Sequence, residues 1–172
     1  IDKKREVTDR YQGRSEIKID NEEVFGLSAT ATLYRRKALE IIAGQAKANH
    51  FQYFDEDFFA YKEDIDLAWR LRLFAWENWL VTTTKAYHHR SVSKGKDLKE
   101  SRKTRGFANK LSYRNHLMLL YKNSFYKNLF KDFLAIKWYE FKKFVYLLLF
   151  ERSTLVGVKE YFANIPSLAK KR

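Results

Sequence analysis

The sequence predicts a mixed α/β domain followed by basic amphipathic helices. Three observations predict it. Two short segments rich in β-branched and aromatic residues stand between stretches with a helical period. The net charge of +13 over 172 residues is strongly uneven. An acidic run framed by large aromatics, Tyr53 to Arg70, interrupts the otherwise basic chain.

Taken in order, residues 1–23 are polar and read as a loop or edge segment. Val24 to Tyr34 alternate loosely, with Thr among apolar residues, which predicts a strand. Arg35 to Ala43 reads as a short helix ended by Gly44, with a polar connection over Gln45 to Gln52. Glu63 to Phe74 reads as a helix: Ile65, Leu67, Ala68, Leu71 and Phe74 keep a helical period, and Asp66 and Arg70 stand four apart as an ion pair. Trp79 to Thr84 is the second strand. Ser91 to Gly106 is polar and basic and reads as a loop, and Lys110 to Tyr121 as a helix. A long helical pattern, in one piece or two, covers Phe125 to Phe150. No internal repeat is present.

Composition bounds the answer. Hydrophobic residues make up 45% and aromatics 17%, with one Pro, so the chain has the means to build a core and is not of disordered composition. The absence of Cys excludes disulfides and thiolate-ligated metals and fits a reducing compartment. The chain does not begin with Met and is expected to be a piece of something longer. Residues 1–100 hold 18 Lys and Arg against 17 Asp and Glu, whereas residues 101–172 hold 16 against 4. An anionic partner is therefore expected to meet the second part.

The acidic run is the first candidate site. Six carboxylates, Asp55, Glu56, Asp57, Glu63, Asp64 and Asp66, fall within twelve residues. Bulky apolar neighbours and like charges make such a cluster suited to general acid/base chemistry or cation binding. Glu63 and Asp64 also stand where a helix begins, and there the positive end of the helix dipole favours carboxylates whether or not they react. His88 and His89 follow the second strand, so one at most faces the same side as a site. Arg114-Asn115 and Lys122-Asn123 read as polar punctuation on a solvated helix face.

The tail is the second candidate. Phe130, Phe133, Leu134, Phe141, Phe144 and Leu148 recur at spacings of three and four and so share a helix face, with Lys127, Lys131 and Lys142 on another and Lys137 among the apolar group. The longest apolar run, Phe144 to Phe150, is far short of the roughly 18 residues of a membrane span. Two readings fit: an amphipathic helix lying in an anionic membrane interface, or a core helix of a small domain.

Gly26 with Tyr34-Arg35-Arg36, the run Tyr53 to Arg70, Ala86-Tyr87-His88-His89-Arg90, and Tyr113-Arg114-Asn115 with Tyr121-Lys122-Asn123 follow one another at characteristic spacings. In that order they resemble the second half of a family 2 glycosyltransferase of the bacterial rhamnosyltransferase-like type, over residues 24–123. The resemblance implies the C-terminal half of a GT-A fold, and an inverting transferase that moves a sugar from a nucleotide-sugar to an acceptor hydroxyl, usually with magnesium or manganese. By this likeness Asp64 matches the catalytic base with Glu63 beside it. Asp55, Glu56, Asp66 and Arg70 would shape the acceptor side, and His88 would stand by the metal and diphosphate. Ala75 stands where such enzymes often have Gly, and Thr82 where they often have Pro.

The likeness divides the chain into an acceptor-side portion, 1–106, and a basic helical region, 107–172, suited to a membrane surface. The first half of such enzymes, with its nucleotide-binding units and metal-anchoring Asp-x-Asp, has no counterpart in residues 1–23. The chain is therefore expected to be a fragment, inactive alone and in no need of a metal by itself. Its expected partners are a nucleotide-sugar, a glycan or lipid-linked acceptor, and an anionic membrane, in cell-wall polysaccharide or lipid-linked glycan synthesis on the cytoplasmic, inner face of the cell membrane. The rival readings are a non-catalytic interaction domain and a nucleic-acid-binding module. The acidic block would repel phosphates, and no RNP-like or Gly-rich motif supports the latter, so no nucleic-acid partner is expected.

Overall fold

The computed structural model describes residues 1–8, 10–11, 20–43, 51–87 and 98–172, with the side chains of all but 98–104 and 126–129. Within these the chain is mostly helical with one small sheet. The elements are β1 (Glu22–Val24), α1 (Arg36–Ala43), α2 (Glu63–Leu73), β2 (Asn78–Leu80), α3 (Leu98–Asn123), α4 (Tyr126–Phe150) and α5 (Val156–Lys171). Single 3-10 turns cover Ala29–Ala31, Glu56–Phe58 and Arg152–Leu155. Two compact units result. One comprises Ile1–Asp55 with Asp64–His88, the other Glu56–Glu63 with His89–Arg172.

In the first unit β1 and β2 pair antiparallel, Glu22 opposite Leu80 and Val24 opposite Asn78. The buried Asn78 side chain donates to the Phe25 carbonyl at 3.0 Å, and Arg72 reaches Glu23 at 2.7 Å, so α2 is laced to the sheet. Ala38 and Ile42 of α1 meet Leu67 and Leu71 of α2 in a small core, flanked by Tyr34, Leu39 and Trp76. Gly26 lets the chain after β1 lie close against α2: a Cβ there would stand 2.6 Å from the Cβ of Ala68. Ala75, with φ 60°, ends α2. Its N–H reaches the Arg72 carbonyl and that of Trp76 the Leu71 carbonyl, both at 3.0 Å, which is the Schellman arrangement.

In the second unit α3 packs chiefly against α5 and the Arg152–Leu155 turn. Leu111, Met118, Leu119 and Leu168 are buried there. Gly157 lets the head of α5 approach α3, since a Cβ would lie 2.7 Å from the Lys110 carbonyl oxygen. Glu160 then pairs with Lys110 at 2.6 Å and with Arg114 at 3.5 Å. Helix α4 meets α3 at its middle, where Glu140 accepts from the Tyr113 hydroxyl at 3.2 Å and shares a 2.6 Å hydrogen bond with His116.

Several expectations need correcting. The first strand is shorter and earlier, with a 3-10 turn at Ala29–Ala31 in place of extended chain. The second stops at Leu80, and its Thr-rich continuation pairs with no strand among the described residues. The basic segment read as loop is helical from Leu98 onward, because Leu, Lys, Glu and Arg form helix well even without an apolar period. Helix α4 is one piece, and α5, not anticipated, carries Pro166 inside it.

Candidate active site

The acidic run is assembled around backbone that a free chain would avoid. After the 3-10 turn Glu56–Phe58, three non-glycine residues take positive φ: Phe59 at 60°, Tyr61 at 69° and Lys62 at 68°. Each costs roughly 1–2 kcal/mol and persists only where its surroundings impose it. Here a buried clamp imposes it. The Asn115 amide, wholly buried in α3, shares its hydrogens among the carbonyls of Phe58, Ala60 and Tyr61 at 2.9, 2.8 and 2.6 Å. The neighbouring Arg114 guanidinium donates to the carbonyls of Asp57 and Phe58 at 3.0 and 2.8 Å and to the Asn115 side-chain oxygen at 2.9 Å.

The same loop is held from two further sides. The Phe58 ring is buried beneath the Lys122 ammonium, 5.6 Å from the ring centre. Asp57 accepts from Ser167 and Lys171 of α5, both at 2.7 Å. The solvated face expected for Arg114-Asn115 and Lys122-Asn123 is thus a buried one. A signal for it exists in the sequence. Leu111, Arg114, Asn115, Met118, Leu119 and Lys122 fall on one helical period, so the polar members had to share the apolar face, and buried polar groups need partners.

The loop delivers the chain to the start of α2, and the boundary between the two units falls between Glu63 and Asp64. Both side chains are half-buried. Asp64 Oδ1 accepts from the Ile65 N–H at 2.8 Å, and Oδ2 from the Ala29 N–H at 3.4 Å. The second contact is long, which leaves Oδ2 with capacity for a further hydrogen bond.

The remaining candidates are placed differently. Asp66 is fully buried, and its Oδ2 accepts from Arg70 Nε at 2.9 Å, the i,i+4 pair read from the sequence. Arg70 also donates to the Tyr53 carbonyl at 2.5 Å, so this pair braces the aromatic segment ahead of the acidic loop. Asp55 is buried as well, while Glu56 is exposed. His88, the expected metal neighbour, and His89 lie outside the described residues. Among the described residues no group of three His, Asp or Glu is arranged around a common point.

Comparison with protein-family models, with curated proteins and with solved structures finds no match for this chain.

Proposed function

We propose that this chain is the acceptor-side portion of an inverting glycosyltransferase, with Asp64 as its catalytic base. The observation that supports it most is the setting of Asp64: a carboxylate in the first turn of α2, with Oδ1 held by the Ile65 N–H at 2.8 Å and Oδ2 in only a long contact with the Ala29 N–H. A base must be pre-positioned to accept a proton at hydrogen-bond distance, and the bond to Oδ1 fixes the carboxylate while Oδ2 keeps room for the proton.

In the proposed reaction the acceptor hydroxyl gives its proton to Asp64 Oδ2 as its oxygen attacks the anomeric carbon. The bond from that carbon to the nucleoside diphosphate breaks, and the pair of electrons leaves with the diphosphate. Glu63, next to Asp64 in the chain, adds to the local negative potential, and Glu56 keeps the acceptor-side role that the resemblance implies. A magnesium or manganese ion, when bound, would neutralise the leaving diphosphate, with His88 the residue of this chain offered to it. The setting is glycan assembly at the inner face of a cell membrane, with the protein held peripherally. No helix among the described residues is long and apolar enough to cross a membrane.

The test is transfer by the complete protein carrying Asp64→Asn. Turnover should fall by about three orders of magnitude or more with nucleotide-sugar binding little changed, as expected when a group acts in the transition state alone. Near-normal turnover would remove Asp64 from the mechanism. Full-strength function of the variant in a binding assay, with no transfer by the unsubstituted protein, would favour the rival reading of a non-catalytic interaction domain.

A further inference from the structure

We propose that α4 is an in-plane anchor for an anionic phospholipid bilayer. This names the partner behind the peripheral placement above and does not depend on the transfer chemistry. Of the described side chains on this 25-residue helix, only Ile136 and Leu147 are buried. The opposite face is apolar and open: Phe130 is 89% exposed, Leu134 81%, Trp138 61% and Phe141 59%. These recur at spacings of four, four and three, so they form one stripe along the helix. The reading of this helix as core, kept open from the sequence, fails on that exposure.

Charge says what covers the stripe. Lys131, Lys137 and Lys142 are exposed, whereas the acids of α4, Asp132 and Glu140, sit on its half-buried side. Glu140 is moreover engaged by Tyr113 and His116. The open face is thus apolar with charges of one sign. Its lysines lie against its rings, Lys137 Nζ 5.6 Å from the Phe133 centre and Lys142 Nζ 5.7 Å from that of Trp138. Long stems of this kind can swing upward to headgroups while the rings sink below them. A second copy of the chain is a poorer occupant. A two-fold interface pairs the same patch with itself and would bring together two faces that both carry only positive charge.

The full chain is tested by flotation with vesicles of phosphatidylcholine alone and with about a third phosphatidylglycerol. Binding should require the anionic lipid and weaken as salt rises from about 0.1 to 0.5 M. Neutralising the stripe with K131Q/K137Q/K142Q should weaken binding roughly 10- to 100-fold. F130S/F141S should reduce it by a similar factor at low salt, which separates insertion from mere attraction. Because these side chains are exposed, both variants should keep the wild-type melting temperature. The tryptophan emission should shift to the blue on binding, and Trp138→Phe should remove most of that shift. Equal recovery with neutral and anionic vesicles, or binding untouched by either variant, would overturn the proposal. So would a solution dimer that F130S/F141S dissociates. None of these outcomes bears on Asp64.

Discussion

At the scale of single residues, Ala75 carries strain that one substitution relieves. It holds φ 60° as the residue that closes α2, a place where glycine meets no steric penalty. Ala75→Gly should raise stability by about 0.5–1 kcal/mol, the relief in the folded state exceeding the entropy that glycine adds to the unfolded chain. Urea unfolding measures it; an unchanged or lower midpoint would mean the turn has adapted to the methyl group. Asn115 has the opposite character. Truncation to Ala leaves three carbonyls of the acidic loop without their donor, so Asn115→Ala should cost roughly 3–5 kcal/mol. Amide exchange should quicken across residues 58–62 before it does in the rest of α3. Uniform exchange along both segments would show that the clamp has no local role.

Helix α3 explains why these residues were hard to see in advance. The sequence shows their period plainly, yet charge and amide on a helix suggest water unless something is known to cover them. What covers them is backbone from residues 57–61, far away in sequence, and no local pattern announces such a partner. The Asp66–Arg70 pair was legible because both members lie on one helix. The boundaries of α1 and α2 were legible for the same reason, whereas α5 was obscured by Gly157 and Pro166. Gly157 stands where close approach to α3 requires it, a demand set by packing and not by helix propensity.

The contact between α3 and α4 also has a measurable consequence. Burial first, and then the Glu140 carboxylate, push the Tyr113 phenol well above its ordinary value. A tyrosine in the unfolded chain ionises near pH 10. Above about that pH the unfolded state sheds a proton that the folded state keeps, so stability, complete below it, falls as pH rises. One such group contributes a slope of about 1.4 kcal/mol per pH unit. Tyr161, raised by burial and by Tyr121, acts in the same direction. Tyr113→Phe should therefore reduce the alkaline loss without abolishing it, as thermal unfolding between about pH 9.5 and 11.5 would measure. An unaltered slope would show that Tyr113 ionises as freely folded as unfolded.

For the molecule as a whole, the charge asymmetry was the most informative property of composition, and it reappears as a second unit of basic helices with one apolar face left open. The proposed function assigns the donor side to no segment of this chain. Both Asp-x-Asp triplets lie elsewhere than at a strand end: Asp55–Asp57 runs into a 3-10 turn, and Asp64–Asp66 opens a helix with Asp66 buried against Arg70. The sequence also has no Gly-rich loop to cradle phosphates. The chain by itself should accordingly bind uridine, guanosine or thymidine diphosphate sugars no more tightly than millimolar, with magnesium or manganese present. Titration calorimetry decides the matter. Micromolar binding to any of the three would place a donor site within this chain and would move the division of labour assumed for Asp64, since base and donor would then both belong to these 172 residues.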